Sequence, residues 1–134
     1  MRFETDGDLD REEDTIRLFC NKFNLRYLKL GMHDVDFKVY NQKTTGYVEV
    51  KGRNKNYQDA FPLPVAARKV LKLADKKSPS VIIWDCFDCI IYGNTSSIVA
   101  TARMGGRKPR DGSHHDQELM LYYEKQNNLK VIYK

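Results

Sequence analysis

The stretch "GYVEVKGR", residues 46–53, sets one carboxylate and one ammonium inside a strand that is otherwise apolar. Alternate side chains of an extended segment share a face, so Val48 and Val50 belong to one side and Glu49 and Lys51 to the other. "DVDFKVY", residues 34–40, alternates in the same way, and the intervening "NQKTTG" carries the Asn, Thr and Gly of a turn. The two segments read as a β-hairpin. With the turn centred between Gln42 and Lys43, Asp36 falls opposite Glu49, and Asp34 opposite Lys51. Directly opposed residues bring their Cβ atoms to roughly 4.5–5.5 Å. One face should therefore hold Asp34, Asp36, Glu49 and Lys51, and the other Val35, Phe37, Val48 and Val50.

Two carboxylates that close repel each other unless a cation sits between them. A solvent-facing, salt-bridged sheet surface meets that need. A divalent metal site also meets it, since hard cations take carboxylate oxygens, water and substrate phosphate. Spacing alone leaves both open.

The rest of the chain supplies the frame. Ile16, Phe19, Cys20 and Phe23 recur at helical spacing and predict a helix over about residues 9–23, opened by Asp8 or Asp10. Glu12 and Glu13 precede that stripe by three or four residues. "LRYLKL", residues 25–30, reads as a strand before the hairpin. Pro62 and Pro64 end a loop and allow a helix over about 65–77, burying Val70, Leu71 and Ala74 and turning Arg68, Lys69, Lys72, Lys76 and Lys77 outward. "SVIIWDCF", residues 80–87, reads as a core strand and "CIIYG", residues 89–93, as its hairpin partner. Beyond Thr95 the pattern weakens into a polar, glycine-rich loop over 103–118, with one or two short edge strands after it. The order helix, three strands, helix, strand points to an α/β or α+β domain around one central mixed sheet.

At 134 residues the chain is expected to form a single domain, residues 1–134, with a core of its own. The acidic start "MRFETDGDLDREED" has no apolar run of a secretory leader, and "VIIWDCFDCIIY" is interrupted by Asp85 and Asp88, so no membrane span is expected. Three cysteines in such a chain are most simply reduced thiols of a cytoplasmic protein. Residues 1–14 hold seven acids against two arginines, yet the whole chain has a net charge of +5. The remainder is thus strongly basic, which suggests a polyanionic partner such as nucleic acid.

An aspartate on one strand, a turn, and "EVK" thirteen residues later resemble the PD-(D/E)xK nuclease superfamily. The region from the first helix to "VEVKGR" is similar to its Holliday-junction-resolvase-like and phage-encoded members. The resemblance covers about residues 12–53, and the helix and strand that follow fit a restriction-endonuclease-like core. It implies hydrolysis of DNA phosphodiester bonds by metal-activated water, with magnesium or manganese as cofactor. It also implies an endonuclease, with an exonuclease or a non-catalytic nucleic-acid-binding module as the alternatives. Carried over, Asp36 and Glu49 would hold the metal with the backbone carbonyl of Val50, and Lys51 would assist the attacking water. The helix glutamate would be Glu13, preferred to Glu12 because Ile16 follows it at i+3. The proline that often precedes the aspartate is replaced by Val35, which keeps Asp34 in play beside Asp36. Resolvase-like relatives are often dimers, so a homodimer is implied by analogy.

Arg53, Lys55, Lys69 and Lys72 are candidates for tracking a phosphate backbone, as are Arg107, Lys108 and Arg110 in "GGRKPRDG", residues 105–112. Against this stands the plain reading of a solvated helix face and a polar loop. Cys86 and Cys89, with His114 and His115, have the composition of a zinc site but fall in an apolar strand–turn–strand. In an extended segment the two cysteines would face opposite sides. Trp84 belongs to the most apolar strand and is expected in the core.

Overall fold

In the computed structural model, residues 6–106 and 117–134 are described. The first helix, α1, spans Asp6–Phe23 and buries Ile16, Phe19 and Cys20 along the expected stripe. It ends where Asn24 takes a left-handed conformation at φ 54°, with the Leu25 N–H donating to Cys20 O at 3.0 Å. A turn residue of that geometry satisfies carbonyls at the end of a helix, and Asn tolerates it better than most residues.

Three antiparallel strands follow: β1 Arg26–Lys29, β2 Phe37–Tyr40 and β3 Thr45–Gly52. Phe37 pairs with Val48 and Tyr40 with Thr45, so the hairpin folds about the centre read from its turn. The second strand is shorter than expected, because the chain bends over residues 31–36. The Asp34 N–H donates to Gly31 O at 3.0 Å, and Asp34 Oδ1 accepts the Val35 N–H at 2.7 Å. This bend turns Val35 away from Phe37 and into the opposite core, contrary to the alternation expected of an unbroken strand.

After a 3₁₀ turn at Tyr57–Asp59, the chain forms β4 Leu63–Ala66, α2 Ala67–Asp75, β5 Ser80–Asp85, β6 Cys89–Asn94, β7 Thr101–Gly106, β8 Gln117–Tyr123 and β9 Lys130–Tyr133. The main sheet has six strands in the order β1-β2-β3-β5-β6-β9, and it is mixed because β3 and β5 run parallel. A second sheet, β4-β8-β7, was not foreseen. It also corrects the second helix. Leu63–Ala66 pair with Met120–Tyr123 rather than starting a helix, so α2 begins at Ala67. Its buried residues are Ala67 and Leu73, with Val70 partly covered, whereas Leu71 and Ala74 are exposed. Lys69 is thereby turned toward the sheet.

The main sheet carries a core on each face. Ile16, Phe19 and Cys20 of α1 meet Phe37, Val39, Val48, Ile83 and Ile90 on one side. On the other, Ile82 and Trp84 pack with Val35, Leu63, Val65, Leu73 and Tyr123. Trp84 is fully buried, its Nε1–H donates to Pro64 O at 2.8 Å, and its ring meets Tyr123 edge-on at 5.4 Å. Cys86 and Cys89 flank a tight turn, with the Cys86 N–H donating to Cys89 O at 2.9 Å. The turn brings both into this second core, on the same side rather than on opposite sides, and both are free thiols. Among the described residues no cluster of three or more His, Cys, Asp or Glu side chains is placed to hold a metal. His114 and His115 lie outside the described residues.

Candidate active site

Asp36 and Glu49 meet just beyond the last pair of the β2–β3 ladder, as its register requires. Both are buried, at 9% and 4% exposure. Each carboxylate ties one oxygen to the other strand: the Asp36 N–H donates to Glu49 Oε2 at 3.3 Å, and the Val50 N–H donates to Asp36 Oδ2 at 2.8 Å. The remaining oxygens face ammonium groups. Lys29 Nζ lies 3.6 Å from Asp36 Oδ1, and Lys69 Nζ lies 3.3 Å from Glu49 Oε1. Burial first, and then the charge of Asp36, push the Glu49 carboxyl up to about 7, although Lys69 and the backbone bond pull the other way. This is the physics of two carboxylates sharing a desolvated site.

Register with β5 sets Glu49 beside Ile82 and Lys51 beside Trp84, so both belong to the face covered by α2. Lys51 is exposed at the open end of that face. The two helix glutamates separate clearly. Glu12 Oε2 lies 3.0 Å from Lys29 Nζ, the same ammonium that faces Asp36. Glu13 is more exposed, pairs with Arg17 at 2.9 Å and accepts the Tyr27 hydroxyl at 3.1 Å. Geometry therefore brings Glu12 toward the carboxylate pair and leaves Glu13 outside it, reversing the order of preference drawn from the helical stripe. Asp34 is also separate: Lys76 Nζ lies 2.6 Å from its Oδ1.

The basic candidates divide in the same way. The Arg53 guanidinium is turned inward, donating through Nε to Ala60 O at 2.9 Å and through Nη2 to Pro62 O at 3.5 Å, so it braces the loop before β4. Lys55 is exposed, and its carbonyl accepts the Phe87 N–H. Lys72 lines a groove of about 610 Å³ with His33, Asp34 and Lys76. Lys69, expected on an outward face, is instead part of the carboxylate site. Arg107, Lys108 and Arg110 lie outside the described residues.

Sequence reasoning passed over Lys29, whose place in an edge strand looked like ordinary alternation, and misassigned Lys69 through the phase of α2. It also gave no role to Arg11. That side chain ion-pairs with buried Asp85, donates through Nη2 to Asp85 O at 2.7 Å and through Nη1 to Asn54 Oδ1 at 2.8 Å. Lys134 Nζ approaches Asp85 Oδ1 at 2.7 Å. Gly52 lies directly under the guanidinium: a Cβ there would stand 3.0 Å from Arg11 Nη1. The helix that presents Glu12 is thus clamped to the ends of β3 and β5.

The structure is similar to that of Archaeoglobus fulgidus Hjc, a Holliday junction resolvase from an archaeal hyperthermophile. The TM-score is 0.58 at 15% identity, over 87% of this chain and 83% of that one, a likeness of fold. No curated protein sequence matches this one. The family model described as "Phage putative PDDEXK endonuclease" matches residues 1–131, and the chain belongs to that endonuclease family.

Proposed function

We propose that this chain is a magnesium- or manganese-dependent endodeoxyribonuclease whose active site is built by Asp36, Glu49 and Lys51. The single observation that carries the proposal is the burial of Asp36 and Glu49 side by side at the end of the hairpin. Burying two adjacent carboxylates costs stability unless a cation compensates them. The donor set suits a hard divalent ion: two carboxylate oxygens, to be completed by the Val50 carbonyl, water and a phosphate oxygen. When bound, such an ion supplies an acidified water and offsets the charge that builds on the phosphate.

The protein's own groups do the rest. Asp36 Oδ1 and Glu49 Oε1 are the oxygens that would take the ion, since their other oxygens are bound to the facing strand. Lys51, on the same face and open to solvent, orients the attacking water and donates to the phosphate oxygens. Glu12, rather than Glu13, is the helix carboxylate assigned to the site, acting through its contact with Lys29. The resolvase-like fold supports branched DNA as the first substrate to try. The test is cleavage of four-way-junction, duplex and single-stranded DNA with magnesium, manganese or EDTA, beside Lys51→Ala. Cleavage that needs the metal and falls at least about a hundredfold in the variant is expected. Undiminished cleavage in EDTA, or full activity of Lys51→Ala, refutes the mechanism.

A further inference from the structure

Lys69 has no part in the chemistry just described, yet its position is costly. Its helix could have turned every cation to water, as the sequence pattern suggests. Instead Nζ lies 3.3 Å from Glu49 Oε1, and only a third of the side chain is exposed. Removing an ammonium from water is unfavourable unless a charge receives it. Glu49 receives it because Glu49 is itself buried beside Asp36. Lys29 does the same for Asp36 Oδ1 from the other side of the pair.

We infer that Lys69 is a resident counter-ion of the carboxylate site, which an incoming divalent cation displaces from Glu49 and which then neutralises a phosphate of the bound DNA strand. The inference rests on the metal-site reading above. A divalent cation brings two positive charges to a carboxylate oxygen where an ammonium already lies, and like charges at such separations cannot both stay. Lysine can yield, since its charge rides on a flexible four-carbon stem. Its way out lies along α2, where Lys72 and Lys76 already line the groove beside Asp34. The displaced ammonium then stands with Lys72, three residues on along the same helix. Metal occupancy and grip on the substrate are thereby coupled: the metal-free site offers one phosphate contact fewer.

The first measurement is manganese affinity without nucleic acid, followed by the electron paramagnetic resonance of the free ion, for wild type, Lys69→Gln, Lys69→Arg and Arg68→Gln. Removing the competitor should tighten manganese binding about tenfold, equivalent to about 1.4 kcal/mol. Lys69→Arg keeps the charge and stays near wild type. Arg68→Gln removes a charge one residue away, from a side chain paired with Glu118, and should change affinity less than about twofold. The second measurement is the salt dependence of duplex binding, in calcium to prevent turnover and in EDTA. In calcium the slope of log affinity against log salt should fall by about 0.9 in Lys69→Gln, the signature of one lost phosphate contact. In EDTA it should not change. Equal manganese binding by wild type and Lys69→Gln, or equal tightening in Arg68→Gln, overturns the displacement. An equal fall in slope with and without calcium overturns the coupling. A wild-type protein that binds no manganese overturns the metal-site reading itself. Thermal unfolding of each variant shows that the comparisons are made on folded protein.

Discussion

Replacing Glu49 with glutamine removes a charge at almost constant volume, and it should stabilise the metal-free protein while destroying cleavage. Burial and the neighbouring Asp36 raise this carboxyl from 4.5 to about 7. In the unfolded chain it returns to the ordinary range. A carboxyl whose pKa is raised on folding binds its proton more tightly in the native state. Its stabilising contribution is therefore complete below about pH 4.5 and lost as pH rises through about 7. At about 1.4 kcal/mol for each pKa unit, the loss amounts to roughly 3 kcal/mol by pH 8. Glutamine never ionises and loses none of it, and its amide oxygen still accepts the Asp36 N–H. Urea unfolding in EDTA should find the two proteins nearly equal at pH 4, with Glu49→Gln ahead by up to roughly 3 kcal/mol at pH 8. Magnesium at pH 8 should narrow the gap by stabilising wild type alone. A gap that is the same at both pH values, or a wild type that is the more stable at pH 8, would refute the reasoning.

Other expectations concern the neighbouring groups. Glu12→Gln should slow cleavage at least about tenfold, while Glu13→Gln, which alters only a pair with Arg17 and Tyr27, should stay within about threefold; steady-state rates on one substrate decide the order. Asp85→Ala leaves Arg11 and Lys134 without their shared buried carboxylate and should cost about 3–5 kcal/mol in denaturant unfolding. Burial pushes the Cys20 and Cys89 thiols up to about 11 and about 12, and Cys86 is raised as well. At pH 8 a disulfide reagent such as DTNB should label native protein slowly and all three thiols at once in urea, so prompt native labelling of any of them would contradict the burial.

The hairpin was legible because its information is local. A symmetric turn and a two-residue period suffice to set Asp36 against Glu49, and both signals lie within residues 34–53. The α1 stripe was legible for the same reason. What failed were the places where distant segments intervene. Val65 and Ala66 look like the first turn of an amphipathic helix, but they belong to a strand whose partner begins more than fifty residues later, and no local pattern announces that pairing. The resulting error in the phase of α2 hid Lys69. Val35 was misassigned through the bend at Asp34, where a side chain bonds to the next backbone N–H and ends the alternation. The choice between Glu12 and Glu13 turned on Lys29, a contact between helix and edge strand that helical spacing does not encode.

Gly52 is the last residue of β3, and an ordinary view would make it only the place where a strand runs out. A methyl group there would meet Arg11 Nη1 at 3.0 Å and Cζ at 3.2 Å. The guanidinium has little room to retreat, being held by Asp85 and Asn54. A side chain at this position must therefore push the guanidinium back by a few tenths of an ångström, and the next residue along that helix is Glu12. The missing carbon acts as a spacer of zero thickness: it lets the guanidinium that holds the start of α1 lie against the end of β3. A substitution there would disturb the clamp between helix and sheet without touching any group that performs the reaction.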